Sequence, residues 1–219
     1  MLLENLEEVE ARIAQAAQRA GRKREEITLI AVTKVFPVSA ILDAYAAGMR
    51  EFGENYVQEF EGKFSSVNQL ESARFHLIGH LQSNKSKKAG EMFQVIQTVD
   101  SLKLARRLSE LNTPLDVMIE VKLSEEDSKH GAAPEDLPEL VDGIRTLPNL
   151  KLCGLMTMPP WNEDPEAPRP YFRRLRSLAD QFSLKNVSMG MSNDFETAIE
   201  EGATHIRIGT ALFGKRKKP

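Results

Sequence analysis

Cysteine is nearly absent from this chain, since Cys153 is the only one among 219 residues. A single cysteine allows no disulfide within the chain, so a reducing cytoplasm is the expected location. Cys153 stands within the apolar run LCGLM at 152–156, and this setting favours a small core side chain over a reactive thiol.

Long hydrophobic runs are missing as well. No apolar stretch approaches the ~20 residues needed to cross a bilayer. The first ten residues are acidic and amphipathic, whereas a signal peptide begins with basic residues and continues with apolar ones. We therefore expect a cytoplasmic protein that makes no membrane contact.

A strong charge of either sign is also lacking. The formal net charge of −3 predicts no general attraction to nucleic acid. The basic residues at 215–218 are more typical of a solvated terminal segment than of a nucleic-acid-binding or targeting patch. A chain of 219 residues is long enough to bury a core without metals or disulfides.

The pattern of apolar residues predicts a helix followed by alternating strands and helices. Apolar positions at helical spacing predict an amphipathic helix over residues 2–20, which Gly21 ends. Short β-rich runs follow, several of them continuously apolar as in parallel strands buried on both faces. The predicted strands are Ile27–Thr33, Glu51–Gly53, Phe75–Gly79, Val95–Thr98, Val117–Lys122, Lys151–Met158, Asn186–Met189 and Thr204–Ile208.

Helical segments between these strands indicate parallel βαβ units. The segments include Val38–Ala47, Ser101–Leu111, Pro134–Arg145, Tyr171–Gln181 and Asp194–Glu201. Eight strands favour an α/β fold that is a closed (β/α)8 TIM-type barrel with an extra N-terminal helix. A doubly wound open sheet is the alternative, because two of the strands are short. The proline-rich stretch Met158–Pro170 is typical of a βα loop, so a single domain over residues 1–219 is expected.

Lys34 is the first candidate for chemistry, because it ends the very apolar segment ITLIAVTK. Reactive groups gather at the carboxyl ends of barrel strands. Apolar surroundings disfavour the charged ammonium and leave more neutral amine to attack a carbonyl. A lysine that simply reaches solvent at a strand end is the alternative interpretation of this segment.

Two turns near the end of the chain have the features of phosphate sites. Ser188, Gly190 and Ser192 place hydroxyls and backbone N–H groups ahead of a predicted helix, for which Asn193 and Glu196 have capping-box spacing. Gly209 and Thr210 follow the eighth strand, which carries Arg207. Barrels often bind phosphate with the loops after strands seven and eight, so the pair of turns favours a phosphate ligand.

Asn55 follows the second strand, next to Lys34 on the expected barrel rim. It is a candidate either for a hydrogen bond to a ring substituent of the ligand or for a cap of the next helix. His76, His80, His130 and His205 have no convincing metal-ligand spacing, so no metal site is expected.

Seven stretches, in the same order along nearly the whole chain after residue 27, resemble the pyridoxal phosphate homeostasis family. The barrel of that family is similar to the N-terminal domain of alanine racemase. The matching stretches are AVTK, FGENYVQE, FHLIGHLQSNK, SKHG, GLMTM, SMGMSND and RIGTALFG.

The resemblance implies a cofactor, pyridoxal 5′-phosphate, held as a Schiff base on Lys34. It implies that Arg207 faces the pyridine nitrogen and that Asn55 lies near the ring. The residues that it places around the phosphate come from the last two strands and their turns: Ser188, Ser192, Gly209 and Thr210.

Arg207 favours cofactor binding over turnover. A protonated arginine donates to the pyridine nitrogen, and the cofactor is then a weak electron sink. Alanine racemase adds a tyrosine from a separate domain of a partner subunit, and this chain is too short to contain that domain. Its three tyrosines fall in helical stretches or just beyond a strand end. The expected role is therefore to carry, buffer or deliver pyridoxal phosphate, with little or no amino-acid turnover.

Three other functions stay open at this stage. The first is a racemase-like enzyme that acts on free amino acids with the same cofactor. The second is a barrel aldolase in which Lys34 attacks a sugar-phosphate carbonyl. The third is a regulator that docks a protein on the N-terminal helix. Acceptor apoenzymes are possible partners, a monomer is expected, and Lys85, Lys87 and Lys88 form either a second anion site or an exposed basic helix face.

Overall fold

The computed structural model describes residues 1–111, 113–124 and 130–214. Eight parallel strands close into a barrel in chain order, with β1 paired to both β2 and β8. This closure confirms the predicted TIM-type barrel and excludes the open sheet. The strands are β1 Thr28–Val32, β2 Glu51–Glu54, β3 Arg74–Leu77, β4 Val95–Val99, β5 Leu115–Glu120, β6 Leu150–Met156, β7 Asn186–Ser188 and β8 His205–Ile208.

The helices form a layer outside the barrel. Short 3-10 turns at Arg24–Glu26, Ser83–Lys85 and Pro134–Asp136 complete the connections. The helices are α1 Leu2–Arg19, α2 Val38–Ala46, α3 Val57–Val67, α4 Ser86–Met92, α5 Leu102–Ser109, α6 Leu137–Arg145, α7 Arg169–Gln181, α8 Phe195–Glu200 and α9 Thr210–Phe213. Within the described part of the chain, no helix combines the length and apolarity that a membrane span needs.

Burial explains why these segments form these elements. All five residues of β4 are buried, as expected for a strand covered on one side by helices and on the other by the barrel interior. The N-terminal α1 buries Val9, Ile13, Ala16 and Ala17 and packs on α8 and α9. The helix predicted outside the barrel repeat therefore covers the helices of the last two βα units, which carry the two predicted phosphate turns.

The barrel interior is more polar than usual for this architecture, in which branched aliphatic layers dominate. Glu51, His76, Gln97, Ser188 and Arg207 are joined by hydrogen bonds that cross from strand to strand. Such a set of buried polar groups is stable only because its members satisfy one another.

Candidate functional site

A cavity of about 290 Å³ opens at the carboxyl end of the barrel. It is lined by residues from several strand ends, with Val32 and Ile78 supplying apolar walls. Six of the seven residues predicted for the site line it together: Lys34, Asn55, Ser192, Arg207, Gly209 and Thr210. The strand ends that are far apart in the sequence therefore meet at one small site.

Lys34 occupies a tight turn directly after β1. The N–H of Phe36 donates to the Thr33 carbonyl at 3.1 Å, which closes the turn around Lys34 and Val35. Val35 has φ of +60°, a left-handed conformation that β-branched residues rarely adopt. The Glu59 carboxylate of α3 accepts the Val35 N–H at 2.6 Å and holds this turn in place.

A buried ion-pair network lies behind the turn. Lys63 donates to the Thr33 carbonyl at 3.0 Å and pairs with Glu54 at 2.9 Å and Glu59 at 2.6 Å. The Thr33 hydroxyl donates to the same Glu54 carboxylate at 2.7 Å. Burial raises the pKa of Glu54, and Lys63 opposes that rise. Charges buried in this way fix the backbone that presents Lys34, since breaking any member leaves another unpaired.

Asn55 comes from the end of β2 and reaches the cavity beside Lys34. Its Oδ1 atom is buried and has no hydrogen-bond partner within the described residues. A Cβ atom at Gly79 would lie 2.2 Å from the Asn55 carbonyl oxygen, so only glycine allows this close approach of the two backbones. The cavity therefore offers an acceptor that a ligand hydroxyl would satisfy.

The turns after β7 and β8 meet in the lining of the same cavity. The Ser192 hydroxyl accepts the N–H of Ala211 at 3.3 Å, which ties the first turn to α9. Gly209 precedes α9, and Thr210 is its first residue. Small hydroxyl residues and backbone N–H groups face one another here, as anion sites require.

The predicted capping box at Asn193 and Glu196 is wrong. The Asn193 amide instead donates to the carbonyls of Asn162 and Glu163, at 3.0 and 3.3 Å. Asp194 is the N-cap of α8, and its carboxylate accepts the Met191 N–H at 2.6 Å. Burial raises the pKa of Asp194, while the bond from Met191 and the charge of Arg207 oppose that rise.

Arg207 lies at the base of the cavity and is 3% exposed. Two of its nitrogens donate to the Ser188 hydroxyl at 2.7 Å and the Thr157 carbonyl at 2.9 Å. Burial lowers the pKa of Arg207 to about 10, against the opposing effect of Asp194 and Glu120. The guanidinium is therefore still protonated at neutral pH, and two contacts fix its plane.

Ser188 is the one predicted site residue that the structure does not bring to the cavity. It is fully buried within β7, where its hydroxyl accepts from Arg207 and donates to Gln97 at 2.6 Å. Ser188 therefore does not line the cavity, and its expected contact with a phosphate stays a prediction. The reason is strand alternation, which directs this side chain into the barrel below the turn.

Sequence reasoning missed the apolar side of the cavity. Met158, Trp161 and Met191 line it, and Trp161 is 71% exposed at its edge. Met158 and Trp161 belong to the proline-rich stretch that was predicted to be a βα loop, but neither residue was predicted for the site. Only the fold brings this loop over the cavity, although a lone tryptophan in a βα loop is a signal that could have been weighed.

Two further candidates, Lys85 and His80, lie beside the cavity rather than in it. Lys85 and His80 line a neighbouring depression, and His80 stacks on His130 with ring centroids 3.8 Å apart. Lys88 pairs with Glu61. The basic segment at 215–218 and two residues of the SKHG stretch lie outside the described residues.

Cys153 of β6 donates to the Val117 carbonyl at 3.3 Å. Burial raises the pKa of its thiol to about 11, so almost no thiolate forms at neutral pH. The described residues contain no cluster of three or more His, Cys, Asp or Glu side chains that could hold a metal ion.

Comparisons with known proteins agree with this geometry. The profile of the family described as alanine racemase, N-terminal domain, matches residues 5–217. The pyridoxal phosphate homeostasis protein of Pseudomonas aeruginosa is 48% identical over 221 residues, covering 98% of this chain and 96% of the relative. That of Aquifex aeolicus is 44% identical over 224 residues and covers 98% of each chain.

Solved structures give the same result. PipY of Synechococcus elongatus without PLP superposes with a TM-score of 0.88 at 36% identity, covering 98% of this chain and all of PipY. The PLP-bound PipY structure gives 0.82 at 38% identity, covering 92% of this chain and all of that one. Alanine racemase from Corynebacterium glutamicum, at 17% identity and a TM-score of 0.68, shares the fold across 98% of this chain and 61% of its own.

The fold and the lysine-bearing cavity thus define a barrel of the alanine racemase N-terminal domain class. Within that class, the chain belongs to the pyridoxal phosphate homeostasis protein family. The resemblance seen in the sequence motifs is confirmed.

Proposed function

We propose that this chain binds pyridoxal 5′-phosphate through Lys34 and carries, buffers or delivers it inside the cell. The observation that carries the proposal is a shared cavity. Lys34, Arg207 and the turn at Gly209 and Thr210 line the same space of about 290 Å³. Pyridoxal phosphate, when bound, supplies an aldehyde that condenses with a lysine amine to form a Schiff base with loss of water.

The residues present fit the functional groups of that cofactor. The buried Oδ1 of Asn55 lacks a partner and matches the ring hydroxyl. Arg207 can only donate, which suits an unprotonated ring nitrogen. Ser192, Gly209 and Thr210 offer hydroxyl and N–H donors for the phosphate. Each end of the cofactor and its middle thus has a matching group in this chain.

Little or no amino-acid turnover forms the second part of the proposal. Among the described residues that line the cavity, the titratable side chains are Lys34, Asp194 and Arg207. The Asp194 carboxylate is already engaged by the Met191 N–H. A racemase needs a second acid/base group on the far ring face, and Tyr56 lines the neighbouring depression instead. These relatives are named as homeostasis proteins rather than as enzymes.

The remaining parts of the proposal concern context. We propose a single-domain, monomeric carrier of the cytoplasm with acceptor apoenzymes or a regulatory protein as partners. The exposed Val35 and Trp161 stand beside the cavity and are accessible to such a partner. Analytical ultracentrifugation tests the monomer, and cofactor transfer to a purified apoenzyme tests delivery.

The experiment that tests cofactor binding is an absorption spectrum before and after borohydride reduction. Purified protein mixed with pyridoxal phosphate is expected to show a visible-edge band that reduction removes, with mass mapping to the peptide of Lys34. Lys34→Ala is expected to lose the band, while Lys85→Ala keeps it. A band that survives in Lys34→Ala would contradict the proposal. Absence of the band in wild type would favour the aldolase alternative.

Steady-state assays with an amino-acid panel test the second part. A racemase-like enzyme that uses the same cofactor is the alternative function. Loaded wild-type protein is expected to give no turnover above the rate of free cofactor. Robust, stoichiometric racemisation or decarboxylation would establish the enzyme instead.

A further inference from the structure

A continuous hydrogen-bonded path runs through the barrel from the cavity toward its amino-terminal end. Arg207 donates to Ser188 at 2.7 Å, and Ser188 donates to Gln97 at 2.6 Å. Gln97 Nε2 lies 2.9 Å from His76 Nδ1, and His76 Nε2 lies 2.5 Å from Glu51. We name these five residues the barrel relay.

The two ends of the barrel relay fix the direction of every bond within it. An arginine can only donate and an ionised carboxylate can only accept. Ser188 therefore passes its own hydrogen to the Gln97 oxygen, and the Gln97 amide nitrogen faces His76. His76 must then accept at Nδ1 and donate from Nε2, so it is held as the neutral Nε2–H tautomer.

Burial makes this arrangement strict. Gln97 and Ser188 are fully buried, and the His76 side chain is 1% exposed. The Glu51 side chain is 24% exposed and reaches solvent beside the surface depression that it lines with Arg50. No other described side chain is recorded in a hydrogen bond with Gln97, so its loss would leave both neighbours unsatisfied.

Other charged groups face the lower half of the relay. His205 of β8 lies 6.3 Å from His76 between ring centroids, and Arg74 of β3 also faces this region while pairing with Asp116 at 2.6 Å. Burial raises the pKa of Glu51, but the bond from His76, together with Arg74, more than offsets this and leaves the pKa below its usual value. Glu51 therefore stays an acceptor at neutral pH.

We propose that Gln97, His76 and Glu51 are positioning residues that hold Arg207 in the plane it presents to the cofactor ring. Arg207 has two fixing contacts, and the Thr157 carbonyl supplies only one of them. The other is the Ser188 hydroxyl, whose orientation depends on Gln97 and, through it, on His76 and Glu51. The cofactor half of this inference rests on the proposed function, while the tautomer half does not.

The first test uses the wild-type protein without cofactor. Long-range 15N–1H correlation spectra of its four histidines report the tautomer of each ring. His76 is expected to be neutral with the hydrogen on Nε2. Gln97→Met removes the amide donor, so the 15N shift of His76 Nδ1 is expected to move to that of a ring nitrogen without this hydrogen bond. A wild-type His76 with hydrogen on Nδ1, or a His76 Nδ1 signal unchanged in Gln97→Met, would overturn the relay.

The second test measures cofactor retention by equilibrium dialysis. Gln97→Met removes both hydrogen bonds at similar volume and is expected to weaken pyridoxal phosphate binding about tenfold. Gln97→Glu still accepts from Ser188 and is expected to recover part of that loss. Ser109→Ala, which deletes a buried hydroxyl bonded to the Pro148 carbonyl outside the barrel, is the control and is expected to bind as wild type.

The outcomes separate the two proposals. If wild type takes up no pyridoxal phosphate on Lys34, the proposed function fails, and the tautomer result still decides whether the relay exists. If wild type binds the cofactor but both Gln97 variants bind it equally well, the positioning role fails and the proposed function stands. Thermal unfolding of each variant, compared with that of Ser109→Ala, shows whether the loss of cofactor binding exceeds what the loss of stability alone would cause.

Discussion

The Glu59 carboxylate accepts the N–H of Val35 at 2.6 Å, one residue beyond Lys34 in the chain. The same carboxylate pairs with Lys63, four residues further along α3. Helix α3 therefore fixes both the turn that carries Lys34 and the buried charge of Lys63 behind that turn. The position of Lys34 depends on a neighbouring βα unit as well as on its own strand.

Removing the Glu59 carboxylate is expected to loosen this turn. Glu59→Ala removes the acceptor of the exposed Val35 N–H and one of the two carboxylates paired with the buried Lys63, and it should lower the free energy of unfolding by about 2 kcal/mol. Urea unfolding measures the change. Glu61→Ala, on the same helix, breaks only the exposed pair with Lys88 and should cost under about 1 kcal/mol. Equal losses in the two variants would show that the Val35 contact contributes nothing.

Val35 itself is expected to be a strained residue. Its φ of +60° costs a β-branched side chain about 1–2 kcal/mol, and its side chain is exposed, so little packing is lost on replacement. Asparagine tolerates this conformation. Val35→Asn should therefore raise the free energy of unfolding by about 0.5–1 kcal/mol, and the midpoint of thermal unfolding should rise with it. A lower midpoint would mean that valine is unstrained there. Borohydride labelling of Lys34 in the variant shows whether the strained backbone at Val35 is needed for the reaction of Lys34 with pyridoxal phosphate.

Trp161 is expected to report cofactor binding, because the only tryptophan of the chain lines the cavity. Stoichiometric pyridoxal phosphate should quench its fluorescence by direct contact and energy transfer, whereas inorganic phosphate should not. Trp161→Phe should lose the signal yet retain labelling of Lys34. Unquenched emission in wild-type protein whose Lys34 is fully labelled would place the ligand away from this loop.

His205 is expected to control stability in mild acid. Burial, with His76 beside it, lowers its pKa from 6.5 to about 4, although Glu51 opposes this. Because the folded value is the lower one, the unfolded chain binds the extra proton between these values. The contribution of His205 to the free energy of unfolding is therefore fully present above pH 6.5. It falls by about 3 kcal/mol as the pH drops to 4.

The variant His205→Gln removes this titration. Its urea-unfolding free energy should change less between pH 7 and pH 4 than that of wild type, with the difference confined to the window above pH 4. Arg74 and Arg207 also face His205, and their charges do not change in this range. An identical pH slope in the two proteins would contradict the lowered pKa of the half-buried His205.

Strand positions were predictable from the sequence because buried parallel strands are almost continuously apolar. β4 illustrates this, since every residue from Val95 to Val99 is buried. Lys34 was predictable as well, because a charged residue at the end of such a strand has few places to lie. All eight predicted strands are present, with ends that agree within two residues.

Other parts of the site depend on contacts that no local pattern encodes. Asn193 has the spacing of a helix cap, yet it donates to carbonyls at 162 and 163, thirty residues earlier in the chain. Ser188 lies in a sequence typical of a phosphate-binding turn, but its side chain points into the barrel toward Gln97, a partner 91 residues away. Trp161 reaches the cavity only because the closed barrel places β6, and the loop that follows it, beside β7.

The central claim is that Lys34 and the turns after β7 and β8 hold opposite ends of one molecule. The most direct test compares the dissociation constants of pyridoxal phosphate and pyridoxal, which differ only in the phosphate. Wild type should prefer pyridoxal phosphate strongly, and Ser192→Ala combined with Thr210→Val should lose much of that preference while Lys34 is still labelled. Thr146→Val, at the C-cap directly after α6, is the matched control and should keep it. A phosphate preference that is unchanged in the double variant would contradict the claim.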